Sequence, residues 1–213
     1  MLSIKTVDTS KGSATAPTVV LLHGFGAPGD DLVPLGSHLG APGRFVFPAA
    51  PLAIEWGGRA WWMIDLSLFE PGARRTDRRA EIPDGLAEAR AAVLEVIAAQ
   101  PADRPLVLGG FSQGAMLALD VALHVERKLA GLVLWSPTFI AEPVWTPRFA
   151  RLADLPIALS HGRQDPLLPF AMTEALRDQL VSSGARVDWR PFDGGHEIPP
   201  PALAAARTIV SSV

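Results

Sequence analysis

The chain has 213 residues, of which 48% are hydrophobic and 19% charged, which suits one folded domain over 1–213 with a large core. A net charge of −3 offers no electrostatic footprint for nucleic acid, so no nucleic-acid partner is expected, and no zinc-like Cys/His cluster appears. The absence of cysteine rules out disulfides and a thiol nucleophile but says little about compartment.

The first eight residues, Met1 to Asp8, lack the apolar stretch of a signal peptide, and no apolar run approaches the roughly 18 residues that span a bilayer. A cytoplasmic protein without integral membrane association is expected. Further along, apolar β-rich runs at 18–22, 45–47, 106–108, 132–135, 157–159 and 187–189 predict strands. Most are continuous rather than alternating, as in a parallel sheet buried on both faces. Helical patterns lie at roughly 30–40, 84–99, 113–126, 171–182 and 200–212, the second carrying Leu86, Val93, Val96 and Ile97 near a 3.6-residue period. The alternation predicts an α/β fold, a three-layer α/β/α sandwich around a mostly parallel, doubly wound sheet. Pro and Gly cluster at 26–29, 40–43, 48–58 and 191–201 and punctuate loops rather than separate domains.

In an open α/β sheet, ligands bind beyond the carboxyl ends of the strands. Four strand ends carry residue types with chemistry: His23-Gly24-Phe25-Gly26, Gly110-Phe111-Ser112-Gln113-Gly114, Ser160-His161-Gly162-Arg163-Gln164-Asp165, and Asp193-Gly194-Gly195-His196. The second has the pattern of a nucleophile elbow. Five residues are few enough to match by chance, so the strand before them and the helix after them carry the claim. A serine hydroxyl needs a base within reach, and Ser112 on a tight strand-to-helix turn would present its oxygen to both base and substrate.

His196 is the candidate general base, because imidazole titrates near neutrality and can pass a proton from nucleophile to leaving group. His38 and His124 fall in helical patterns, and His23 and His161 precede glycines, where they are expected to orient loops by hydrogen bonding. Asp165 is the candidate to hold His196 in its productive tautomer, with Asp193 as the rival; three residues from His196, Asp193 fits a turn former better. Asp188 lies inside a strand. The order Ser…Asp…His is that of the α/β-hydrolases. The backbone N–H groups of Gln113 and Phe25 are the candidate oxyanion donors.

These motifs together resemble the phospholipase/carboxylesterase group of small α/β-hydrolases, which includes the acyl-protein thioesterases. The resemblance covers nearly the whole chain. It rests on Leu22 to Gly26 followed by Gly29-Asp30-Asp31-Leu32, on Phe47-Pro48-Ala49-Ala50-Pro51, on Trp61-Trp62 with Asp65, on Gly109 through Ala115, on His161-Gly162 with Asp165 and Pro169, and on Gly195-His196. It implies a hydrolase without a large lid that acts on small-molecule carboxylic esters or acyl thioesters, with no metal or cofactor. Ser112, Asp165 and His196 would form the triad, with Phe25 and Gln113 at the oxyanion hole. Two positions depart from the family pattern: Ala115 replaces a second glycine after the elbow, and Ser136-Pro137-Thr138 replaces Ser-Gly after the strand at 132–135, where it is expected to reshape the pocket wall.

Trp56, Trp61 and Trp62 follow the second strand and fit either core packing or an apolar acyl pocket; Trp61 and Trp62 are the candidates for substrate contact. The run Arg74-Arg75-Thr76-Asp77-Arg78-Arg79 is expected to be a solvated loop, the alternative being a site for an anionic group. Two other activities fit the same triad, a lysophospholipase and a polyester-fragment esterase. A catalytically silent ligand-binding protein on this fold is the alternative from another class.

Overall fold

A computed structural model describes residues 1–13, 15–55, 57–69 and 77–213. Trp56, Arg74, Arg75 and Thr76 lie outside the described residues. The central sheet has seven strands: β1 (Ile4–Asp8), β2 (Thr18–Leu22), β3 (Arg44–Pro48), β6 (Leu106–Phe111), β7 (Gly131–Trp135), β8 (Pro156–Gly162) and β9 (Arg186–Phe192). Their order is β1-β3-β2-β6-β7-β8-β9, all parallel except the antiparallel β1–β3 edge. A separate two-stranded ribbon, β4 (Leu52–Ala53) with β5 (Arg59–Ala60), sits after β3.

Period-two alternation sorts the strand side chains between two cores. Val20 and Leu22 face a core shared with α2 (Leu86–Ala98), α3 (Gln113–Ala122) and α5 (Phe170–Ser182), whereas Val19 and Leu21 face one shared with α6 (Pro200–Ser211). All ten residues of α3 are buried; eight of them are small or apolar, and its two polar side chains, Gln113 and Asp120, are both hydrogen-bonded. The resulting three layers are those expected from the strand-helix alternation.

Some elements differ from the sequence expectation. Only Leu35–His38 of the stretch 30–40 forms a helix, α1, because Pro34 disfavours helical backbone before it and Gly40, at φ 59°, turns the chain out behind it. Strand β1 lacked an apolar signature because its residues are largely exposed on the sheet edge. Strand β9, the opposite edge, is half-buried rather than covered on both faces. The short helix α4 (Glu142–Trp145) and the 3₁₀ segment Thr146–Leu152 had no clear periodicity.

The topology positions the site. From β2 the chain steps outward to β3, then crosses to β6 on the other side of β2 and continues outward through β9. The switch therefore lies between β2 and β6, whose carboxyl ends open a crevice for ligand. His23 to Gly26 and Ser112 occupy those two ends.

Candidate active site

Ser112 sits between β6 and α3 with φ 55° and ψ −119°, a conformation that costs of order 1–3 kcal/mol for a residue with a Cβ and persists only where its surroundings enforce it. The enforcement is visible. A Cβ on Gly114 would lie 2.1 Å from the Leu22 carbonyl oxygen, and one on Gly110 2.5 Å from the Gly114 carbonyl, so strand, elbow and helix meet backbone to backbone. The Ser112 N–H donates to the Trp135 carbonyl at 2.9 Å, tying the turn to β7. Ala115 is fully buried, so the extra methyl relative to the family pattern is accommodated inside α3's packing.

The loop after β2 runs beside this turn: a Cβ on Gly24 would meet Ser112 Cβ at 3.4 Å and Phe111 Cδ1 at 3.3 Å. Phe25 follows in a half-buried position. Gln113 opens α3, where the first backbone N–H groups lack partners within the helix and the helix dipole favours negative charge. Gln113 follows Ser112 directly, and the residue before Phe25 lies against Ser112 Cβ.

The loops after β8 and β9 converge on the same end of the sheet. Arg163 N–H donates to the Phe192 carbonyl at 2.8 Å and Gln164 N–H to the Gly194 carbonyl at 3.0 Å, and a Cβ on Gly162 would lie 2.1 Å from the Gly195 carbonyl oxygen. This pairing brings His196 Nδ1 to 2.6 Å from Asp165 Oδ2. The His196 ring packs against Phe111, centroids 4.7 Å apart, next to Ser112 in the chain. Among the described residues no hydrogen bond joins the Ser112 hydroxyl to His196. Asp193 makes no such approach to His196, since its side chain is 84% exposed and faces Arg163 at 3.7 Å. Asp188 pairs with Arg190 on the surface.

Asp165 is ionised. Burial is the strongest single influence on its carboxyl and raises its pKa, but hydrogen bonds from His161, His196 and the Leu168 amide, with the charge of His196, together outweigh it and hold the group well below the usual carboxylate range.

A cavity of about 480 Å³ opens beside these loops. Its apolar wall includes Trp62, Met116, Phe139, Ile140, Leu168 and Met172. Neither Ser112 nor His196 lines it, but Met116 N–H donates to the Ser112 carbonyl at 3.1 Å and Leu168 N–H to Asp165 Oδ1 at 2.9 Å, so the wall is hydrogen-bonded to two of the triad candidates. Thr138, in the segment departing from the family pattern, contributes to this wall.

The model of the phospholipase/carboxylesterase family matches residues 4–213. The chain belongs to that family. It is 29% identical over 198 residues to acyl-protein thioesterase 1 of Neurospora crassa, covering 84% of this chain and 79% of that protein. Acyl-protein thioesterase 1 homolog 2 of Dictyostelium discoideum is also 29% identical, over 196 residues covering 83% and 82% of the two chains. Esterase PE8, at 28% identity, superposes with a TM-score of 0.79 over 100% of this chain and 99% of its own. The structure of acyl-protein thioesterase 2 of Zea mays shares the fold at 22% identity, with a TM-score of 0.78, 100% of this chain and 99% of that one. This family member is accordingly a hydrolase with the α/β-hydrolase fold. No helix among its described residues is long and apolar enough to cross a membrane.

Of the two tryptophans expected to contact substrate, only Trp62 lines the cavity. Trp61 is 1% exposed and lies outside this wall, and its indole N–H donates to the His23 carbonyl at 2.9 Å. Sequence reasoning also passed over the Gln113 side chain. Fully buried, it accepts the Trp61 N–H at 3.0 Å and donates to the Trp62 carbonyl at 2.8 Å. A buried primary amide at the start of a helix is the only local signal for such a clamp. His23 does orient its loop: Nε2 accepts the Ala50 N–H at 3.0 Å, so Nδ1 carries the proton and donates to the Gly24 carbonyl at 2.8 Å. In the charged run, Arg78 pairs with Glu81, and Arg79 pairs with Asp77 at 2.6 Å and faces Glu142 at 3.8 Å.

Proposed function

We propose that the protein is a serine hydrolase that cleaves small carboxylic esters or acyl thioesters through an acyl-enzyme intermediate. The observation that carries this reading is the 2.6 Å contact between His196 Nδ1 and Asp165 Oδ2 at the sheet end where Ser112 is held at φ 55°. The contact directs His196 Nε2 to act as base. Ser112 Oγ attacks the acyl carbonyl carbon while its proton passes to His196 Nε2, and the amides of Phe25 and Gln113 stabilise the oxyanion. Collapse of the tetrahedral species breaks the bond to the leaving oxygen or sulfur, which takes that proton from His196. Water then repeats the sequence on the acyl-enzyme, releasing the carboxylic acid and restoring the serine hydroxyl.

The cavity walled by Trp62, Met116, Phe139, Ile140 and Met172 suits an apolar acyl chain, and the thioesterase and esterase names of the relatives agree with both leaving groups. The deciding experiment combines fluorophosphonate labelling with turnover of matched p-nitrophenyl esters and acyl thioesters. Labelling at Ser112 is expected, and Ser112→Ala should abolish it and lower kcat by on the order of 10⁶. Labelling that persists in the alanine variant assigns the nucleophile elsewhere.

A further inference from the structure

The Asp165 carboxylate faces two histidines. Its Oδ1 accepts the N–H groups of Leu167 and Leu168 at 2.8 and 2.9 Å, and its Oδ2 lies 2.6 Å from His196 Nδ1 and 3.2 Å from His161 Nε2. The second imidazole is not needed to complete a triad, yet it is fully buried together with the carboxylate.

His161 is itself fastened at both nitrogens. Around Nε2 stand the Leu168 carbonyl, its hydrogen-bond partner at 3.1 Å, and Asp165 Oδ2 at 3.2 Å; both are acceptors, so Nε2 carries a proton that lies within reach of the carboxylate. On the other side, Nδ1 lies 2.9 Å from Thr173 Oγ1, which is 2.6 Å from the Pro137 carbonyl. Thr173 is fully buried on α5, so helix, strand end and the Pro137 turn together fix the ring. Phe170 closes the remaining side, its ring centroid 6.0 Å from that of His161.

We propose that His161, held by Thr173, is a positioning residue for acyl transfer: it donates to Asp165 Oδ2 and keeps that carboxylate turned toward His196. The proposal rests on the triad reading above. Its chemistry follows from sharing. A carboxylate oxygen that already accepts from His161 is less basic, so it orients the His196 imidazolium without taking its proton, and it concentrates less negative charge on His196 than a singly bonded oxygen would. The charged or titratable groups around His161 are Asp165, His196 and, across the Phe170 ring, the Arg163 guanidinium.

The test measures pH profiles of kcat and kcat/KM on a short p-nitrophenyl ester for His161→Phe, His161→Gln and Thr173→Val, each with and without Asp165→Asn. His161→Phe is expected to lower kcat by about tenfold or more with KM changed by less than about twofold. The acid limb of kcat/KM should move up by about half a pH unit, because the unshared carboxylate favours protonated His196. His161→Gln, which can still donate, should recover most of kcat, and Thr173→Val should move the acid limb the same way by less. Combined with Asp165→Asn, none should lower kcat further. An equal loss with and without Asp165 makes His161 a packing residue and overturns the proposal. So does an acid limb unmoved in both folded His161→Phe and Thr173→Val, and Thr173→Val alone decides if His161→Phe does not fold. Wild-type kcat in Asp165→Asn overturns the triad reading and this proposal together, whereas a collapse there with unaffected His161 variants overturns this proposal alone.

Discussion

The Gln113 side chain bridges to Trp61 across 52 positions of sequence, accepting its backbone N–H at 3.0 Å while donating to the next carbonyl, that of Trp62, at 2.8 Å. Gln113 therefore has two separable parts, an N–H at the start of α3 and a carboxamide that clamps one wall of the cavity to the elbow. Gln113→Ala keeps the first and removes the second, leaving a buried N–H and a buried C=O without partners, each costing about 1–3 kcal/mol. Equilibrium denaturation should show a loss in that range or somewhat above it, while fluorophosphonate still labels Ser112. Unchanged stability would mean that water or a shifted loop replaces the carboxamide.

Asp165 and Asp193 occupy opposite environments, one fully buried against His196 and the other exposed beside Arg163. Asp165→Asn should lower kcat by on the order of 10⁴ near neutral pH, because an amide N–H facing His196 Nδ1 favours the wrong tautomer. Asp193→Asn should change kcat little. Steady-state kinetics on the same ester compares the two, and the reverse ranking would transfer the orienting role to Asp193.

Trp62 and Trp61 are adjacent in sequence but differ in surroundings, since Trp62 lines the cavity and Trp61 does not. Each methylene an acyl chain buries should contribute about 0.8 kcal/mol until the cavity ends, so kcat/KM should rise over short to medium chains and then level or fall. Trp62→Ala should flatten that slope with fluorophosphonate labelling intact. Trp61→Ala should act mainly on stability, since it removes a buried indole and the donor to the His23 carbonyl. A slope unaltered in folded Trp62→Ala would place the acyl chain outside this cavity.

His23 couples stability to pH. Burial, the largest influence, lowers its pKa against the opposing effects of the Gly24 carbonyl and Asp31, and protonation would set a second N–H against the Ala50 N–H that Nε2 now accepts. A histidine whose folded pKa lies below its ordinary value near 6.5 stabilises the fold above that value, and the contribution is lost as pH falls toward the folded pKa. Urea denaturation at pH 7.5 and 5.5 should show lower stability at the acidic pH, and His23→Gln should reduce the difference. An equal difference in the variant would assign the acid sensitivity to other groups.

Much of this protein was legible from local pattern. The run at 18–22 coincides with strand β2, and the starts of α3 and α6 fall where the helical patterns begin, because continuous apolar runs and 3.6-residue periods are properties of neighbouring residues. The elbow was legible for the same reason: the crowding that requires Gly110 and Gly114 arises within five residues and the adjoining strand. The exposed edge strand β1 was not, since it buries too little to leave an apolar signature.

What tertiary structure alone decided are the contacts that cross the chain. Asp165 and His196, 31 positions apart, meet because β8 and β9 pair in register and their following loops share backbone hydrogen bonds, so sequence offered both aspartates, whereas in space Asp165 stands buried beside His196 and Asp193 exposed beside Arg163. The same holds for the tryptophans: their composition marked an apolar surface, but only in space does the Trp61 indole N–H reach the His23 carbonyl while Trp62 lines the cavity. Residue type and spacing determine which chemistry a strand end can carry; the packing of loops from distant strands determines which atoms face one another.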